Sequence, residues 1–273
     1  LIALLKGTKH EELAYRALDL INASETLTEK KKVLVKPNIT ISVPPSTGMT
    51  TDPAIVEGII KYLSDNGIKK IVIAEGGGCD ITEAYVKLGY TKIADHYNVE
   101  LIDINQQEGV QVKVPHPHYI NEFWIAKPVL DYDCVISVPK LKTHVGEWQV
   151  TLGMKNMMGI IAARKRGPIH REDRGIVDLL QLVKPELTVI DGIIAGEGHE
   201  LWGRPVIMNL LIAGKDIVAS DAVGARIIGF QQNEIPRHIT IASKMGYGIC
   251  DLDSIRLVGG ISIDEVERKF RRP

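Results

Sequence analysis

Short continuous apolar runs alternate with amphipathic stretches along most of the chain. LIALLK is followed by HEELAYRALDLINA, KKVLVKPN by DPAIVEGIIKYLSDNG, and KKIVIAEGGG by DITEAYVKLG. The first member of each pair is rich in β-branched residues, as in strands covered on both faces, while the second repeats its apolar positions at helical spacing. VELIDI, DCVISVP, ELTVID and VIMNLLIAG extend the series. The alternation predicts an α/β protein, a mainly parallel sheet flanked by helices in a Rossmann-like layered architecture. The punctuation agrees. Asp52 is placed to cap a helix that Pro53 opens and Gly67 stops, Gly89 stops the next one, and Asp216 is a further expected cap.

Between Gln106 and Tyr132 the alternation weakens into a proline-containing stretch in which Val112 and Val114 alternate, and a hairpin or small peripheral excursion is predicted. No repeat of fixed period and no Pro-, Ser- or Gly-rich linker divides the 273 residues. One α/β unit over 1–273 is therefore expected, and any division into two lobes would fall near Asp131.

The composition, 45% hydrophobic and 25% charged, excludes disordered and fibrous classes. The net charge, 33 − 34 = −1, provides no chain-wide basic field, so no nucleic-acid partner is expected and any anion site must be local. Cys79, Cys134 and Cys250 lie far apart without a C-x-x-C pair, which argues against zinc, a dithiol or a cluster and for a reducing, cytoplasmic setting. The apolar run from Leu1 ends at Lys6, and no stretch approaches a membrane span, so neither export nor a membrane partner is expected. The missing initiator Met points to trimming or unseen residues ahead of Leu1.

In open α/β sheets, ligands bind beyond the carboxyl ends of the strands. Lys36 and Asn38 follow VLV, and Glu75 with Gly76, Gly77 and Gly78 follows IVIA. Lys140, Lys142 and His144 follow VISV, and Asp191 and Glu197 follow LTVI. If these strands are neighbours, the groups converge on one crevice. An extended PKLKTH would put Lys140, Lys142 and His144 on one face, where mutual repulsion, unless an acidic ligand, Glu75 or Asp191 neutralises it, lowers the pKa of one of them toward neutrality; solvated surface lysines are the plain alternative. Alanine at any of the three is expected to cost less than about 0.5 kcal/mol of stability.

TLGMKNMMGI reads as a short helix carrying Lys155 and Asn156, its methionines being core packing rather than soft-metal ligands. ARKRGPIHR, with Arg164, Lys165, Arg166, His170 and Arg171, reads either as a basic lid over an anion or as a solvated loop. From Lys140 to Arg171 seven basic residues oppose only Glu147, a local balance of 7 − 1 = +6. Ile81 occupies the third-glycine position of a dinucleotide fingerprint, so the glycines after Glu75 read as a tight turn. His116 and His118 lack a third ligand nearby, and no metal site is predicted. Asp221, mid-helix among small residues, is a further candidate to line the crevice.

The stretches VLVKPN, TDPAIVEGIIKYL, AEGG, VPKLKTH, TLGMKNMMG, IHR with IVDLLQ, LTVIDGI with GEG, and LIAGKDIVASDAVGARIIG resemble the domain of unknown function family 362 from about Val33 to Phe230. The resemblance implies association with ferredoxin-like iron-sulfur modules, for which this chain has no cluster-binding cysteines. K-x-H followed by G-x-K is also loosely similar to the nickel-dependent lactate racemase group, which implies a pincer cofactor and 2-hydroxy-acid chemistry. The residues themselves leave the cofactor unknown.

Two functions remain open. One is an enzyme acting on a small anionic metabolite, a carboxylate or phosphate, by acid-base or hydride chemistry. Its catalytic candidates are His144, Lys142, Glu75 and Asp191, and its substrate-binding candidates Lys36, Asn38, Lys140, Lys155, Asn156, Arg171 and Glu197. The other is a non-catalytic accessory protein that binds a metal or metallocofactor, or docks a separate iron-sulfur protein.

Overall fold

The computed structural model describes residues 1–273, the side chain of Arg164 excepted. Its strands are β1 (Ile2–Lys6), β2 (Lys32–Pro37), β3 (Lys70–Glu75), β4 (Glu100–Asp103), β5 (Gly109–Lys113), β6 (Glu122–Ala126), β7 (Cys134–Val138), β8 (Lys140–Thr143), β9 (Val150–Thr151), β10 (Leu187–Glu197), β11 (Arg204–Gly214) and β12 (Leu257–Val258). Ten of them form one sheet in the order β12-β1-β11-β10-β7-β2-β3-β4, with β8 and β9 attached beside β10.

The apolar runs work on both faces, as their continuity predicts. Val33 and Val35 of β2 and Ile71 and Ile73 of β3 pack against the helices His10–Leu20, Pro53–Asp65, Ile81–Leu88 and Tyr90–Tyr97. Leu34, Val72 and Ala74 face the opposite layer, which contains the buried methionines Met154, Met157, Met158 and Met208 and the helices Ile217–Ile227 and Arg237–Lys244. The caps fall where expected: Asp52 accepts from the Ala54 amide at 3.0 Å, Asp216 from Val218 and Ala219, and Gly89 takes φ +89 at its helix end.

Strands β10, β7, β2, β3 and β4 are parallel, whereas β11 runs antiparallel to both β10 and β1. VIMNLLIAG therefore does not continue the parallel series, because the turn after Glu197 is too short for a crossover. The stretch expected to be peripheral is a β5-β6 ribbon whose Phe123, Ile125 and Ala126 are buried in the second layer. Strands from both sides of Asp131 share the large sheet. The chain leaves β2 and β3 across one face and β7 across the other, so the sheet has its switch point between β2 and β7.

The ribbon is anchored by Asp178, fully buried, which accepts from the amides of His118, Tyr119 and Ile120 at 2.8–2.9 Å. Asp178→Ala strands three amide donors, that of Ile120 buried and the other two half-buried, and is expected to cost roughly 2–3 kcal/mol, read as a lowered urea midpoint with an unchanged slope.

Candidate functional site

A cleft of about 180 Å³ opens at the carboxyl edge of the sheet beside the switch point. Its floor is an ion pair. The Lys36 ammonium, at the end of β2, lies 2.9 and 3.1 Å from the two oxygens of Glu75, at the end of β3, and also donates to Asn156 Oδ1 and the Pro37 carbonyl at 3.1 Å. Glu75 in turn accepts from the amides of Ile39 and Gly76, and Asn156 Nδ2 donates to the Lys36 carbonyl and to Ser137 Oγ of β7. A Cβ on Gly159 would come within 2.6 Å of Lys36 Cε and 2.7 Å of Glu75 Oε1, so only glycine lets this backbone close over the pair.

The walls carry cations without carboxylate partners. Lys142 Nζ donates to the carbonyls of Met49 at 2.8 Å and Glu200 at 3.1 Å; burial, then the nearby Lys155, brings its pKa down to about 7. Lys155 sits with Nζ 4.7 Å from the centre of the Trp148 ring, and burial lowers it to about 8. Arg166 reaches in from the basic segment and donates to Asn105 Oδ1 and to the carbonyls of Ile161, Gly77 and Gly159. His144 Nδ1 lies 2.8 Å from the Val145 carbonyl, which only accepts, so Nδ1 carries the proton and Nε2, 3.9 Å from Glu200 Oε1, is the free acceptor. Burial, reinforced by Lys155, lowers His144 to about 4 and keeps it neutral. Two acceptor atoms on the lining, Asn38 Oδ1 and Thr151 Oγ1, are buried without a hydrogen-bond partner among the described residues.

The sequence profile of a family described as Domain of unknown function (DUF362) matches residues 33–226, an interval that contains every residue lining this cleft. The chain belongs to the DUF362 family. It is similar to the thylakoid-associated protein sll1697 of Synechocystis sp., with 26% identity over 230 residues, covering 80% of this chain and 68% of that protein. A solved structure, the lactate racemase apoprotein from Thermoanaerobacterium thermosaccharolyticum, matches with a TM-score of 0.42 and 15% identity over 78% of this chain; the DUF362 chain spans 54% of that one.

Of the sequence candidates in this DUF362 protein, Lys36, Asn38, Glu75, Lys142, His144, Lys155 and Asn156 line the cleft together. Four do not. Lys140 and Asp191 are both fully buried and paired with each other at 2.7 Å, and Asp191 also accepts from the amides of Asp52 and Ile193, so neither reaches the cleft. Arg171 lines a separate outer groove with Tyr119 and Trp124, and Glu197 accepts from the Arg271 amide. Asp221 does not line the crevice either. It is buried beneath it, accepting from the amides of Gly153 and Met154 and thereby seating the short helix Gly153–Asn156 that presents Lys155.

Sequence reasoning overlooked Thr40, Thr151 and Glu200, and treated Arg166 and His170 only as parts of a lid or loop. The side chain of Arg164 lies outside the described residues. His170 is exposed at the rim, with its pKa lowered by desolvation and by Lys155 and Arg166. The glycines after Glu75, expected to form a tight turn, all line the cleft; their segment bends at Gly78 and Cys79 rather than closing a hydrogen-bonded turn, and the Gly78 amide donates to the Thr40 carbonyl. Among the described residues, no group of three or more His, Cys, Asp or Glu could hold a metal ion. The cleft's donors, mainly ammonium groups and two imidazoles, do not fit a protein-ligated metal, and no step is derived through one.

Lys36→Met leaves Glu75 charged and unpaired in the interior and is expected to cost about 3–5 kcal/mol, only part of it recovered in Lys36→Met with Glu75→Leu because the Ile39 and Gly76 amides then lose their acceptor. Lys140→Ala should cost a similar amount, against the small loss expected from its sequence context, because Asp191 is left alone. Urea unfolding of the four proteins, wild type included, measures both.

Proposed function

We propose that this DUF362 protein binds a small anionic metabolite, a carboxylate or phosphate, in the cleft and acts on it by lysine- and histidine-assisted acid-base chemistry. One observation carries the reading. Lys36 is matched by Glu75, but Lys142, Lys155 and Arg166 share a cleft with Glu200 alone, and among the described residues none of the three forms an ion pair. That leaves 3 − 1 = +2 in a confined, partly dry space, and a bound anion would offset it. Neutral His144, with Nε2 free beside Glu200, is the group placed to accept a proton from the bound molecule. A reducing, cytoplasmic setting is part of the proposal, supported by three free thiols.

The pH dependence has a definite sign. Both lysines have folded values below their ordinary 10.5, so the unfolded chain binds more protons, and the free protein gains stability as pH rises from about 7 toward 10.5. Anion binding needs the ammonium form of Lys155 beside Arg166, and does not require Lys142 to be charged. It should take up protons near pH 8 and weaken as pH rises further.

Melting curves with citrate, phosphate and sulfate at low ionic strength test this. The melting temperature should rise with the logarithm of anion concentration, equivalent to about 2.7 kcal/mol at a hundredfold excess over Kd, and the rise should shrink with salt and in Lys155→Met. Melting that no anion moves, together with stoichiometric metal after anaerobic purification, would instead support the accessory-protein reading.

A further inference from the structure

Lys142 is unlike the other lysines of the sheet edge. Lys36 and Lys140 each face a carboxylate, at 2.9 and 2.7 Å, and Lys155 lies over an indole. Among the described residues Lys142 donates only to two backbone carbonyls, those of Met49 and Glu200. Two acceptors use the two hydrogens of a neutral amine and leave its lone pair for the remaining tetrahedral direction. The group is 1% exposed yet lines the cleft. We propose that Lys142 is a nucleophile that condenses with the carbonyl carbon of a small oxo-acid to form an imine. The proposal rests on the anion-site reading and adds a substrate class to it.

In the step itself, the nitrogen lone pair adds to the carbonyl carbon, and the C=O π pair moves to oxygen, which takes a proton. The nitrogen then loses its proton as the C=N bond forms, and the protonated hydroxyl leaves as water; nothing is oxidised or reduced. The cleft has a group for each part. Lys155 and Arg166 are the counterions for the carboxylate, and His144 with Glu200, which line the same cleft as Lys142, receive and return protons. Asn38 Oδ1 and Thr151 Oγ1, which have no partner among the described residues, are the acceptors for the hydroxyl of the tetrahedral intermediate. The orientation of Asn38 is imposed by its neighbours: Nδ2 donates to Asn156 Oδ1, which already accepts from Lys36, so the carbonyl oxygen is the end left free. Burial next to another cation also favours the free amine at neutral pH, a recognised way of activating a lysine.

The test incubates the full chain with pyruvate or glyoxylate and sodium cyanoborohydride, followed by intact mass and peptide mapping. The expected result is one reduced adduct per chain on Lys142, suppressed by excess citrate, absent in Lys142→Met and formed about tenfold more slowly in Lys155→Met. Adducts confined to the N-terminus and exposed lysines, or an adduct on Lys142 that citrate does not suppress, overturn the proposal. If Lys142→Met fails to fold, citrate protection of the wild-type adduct decides. If citrate raises the melting temperature but Lys142 stays unlabelled, the nucleophile is wrong and the anion site stands. If citrate does neither, both fail.

Discussion

The Lys36 ammonium held between the two oxygens of Glu75 is the contact on which the carboxyl edge of this sheet depends. As a bare ion pair it adds little net stability, because desolvation of two charges offsets most of their attraction. Its value is positional. Each remaining lone pair and proton is used by a backbone or side-chain group from a different element: Ile39 after β2, Gly76 after β3, and Asn156, which continues to Ser137 on β7. The network ties both sides of the switch point to one charge pair. Moving any member leaves a buried polar group without a partner, so the cleft floor has one low-energy arrangement.

The same logic separates lysines that the sequence makes look alike. In the pairing of β8 with β10, Lys140 lies opposite Asp191, and Lys142, two residues on, lies opposite Gly196. The register shifts between those two positions. One lysine is therefore neutralised inside the sheet, while the next is buried without a counter-charge. The +6 balance counted along the segment falls to +2 in the cleft, because Lys140 is paired, Lys165 and Arg171 line another groove, the side chain of Arg164 lies outside the described residues, and Glu200 takes the place of Glu147 among the lining.

The layered α/β architecture was legible because strands buried on both faces have to be continuously apolar, and the sheet's carboxyl edge was legible because polar residues follow those runs. What depends on pairing partners was not. The antiparallel direction of β11 follows from a short turn rather than from its apolar run, which reads the same in either orientation. The burial of Asp191 needs the β8 register, and Glu200 reaches the cleft from a hairpin tip with no local motif to announce it. Arg166 had a signal, a basic cluster broken by Gly167 and Pro168, but charge counting alone cannot say which of several neighbouring cations turns inward.

An unmatched buried cation is a standing cost to the fold, since its desolvation is compensated only by carbonyls and an aromatic ring. Folds generally remove such a cost by pairing, as this one does twice with Lys36 and Lys140. It leaves two further lysines unmatched within one cleft, while a buried carboxylate, Asp221, is spent on fixing the short helix that carries one of them. The held position of Lys155 and the missing counter-charge thus arise from the same local design. Energy of this kind, stored in a rigid and incompletely paired site, is what a ligand of opposite charge releases on binding, and the seven-residue reach of TLGMKNM behind PKLKTH brings that charge to one place.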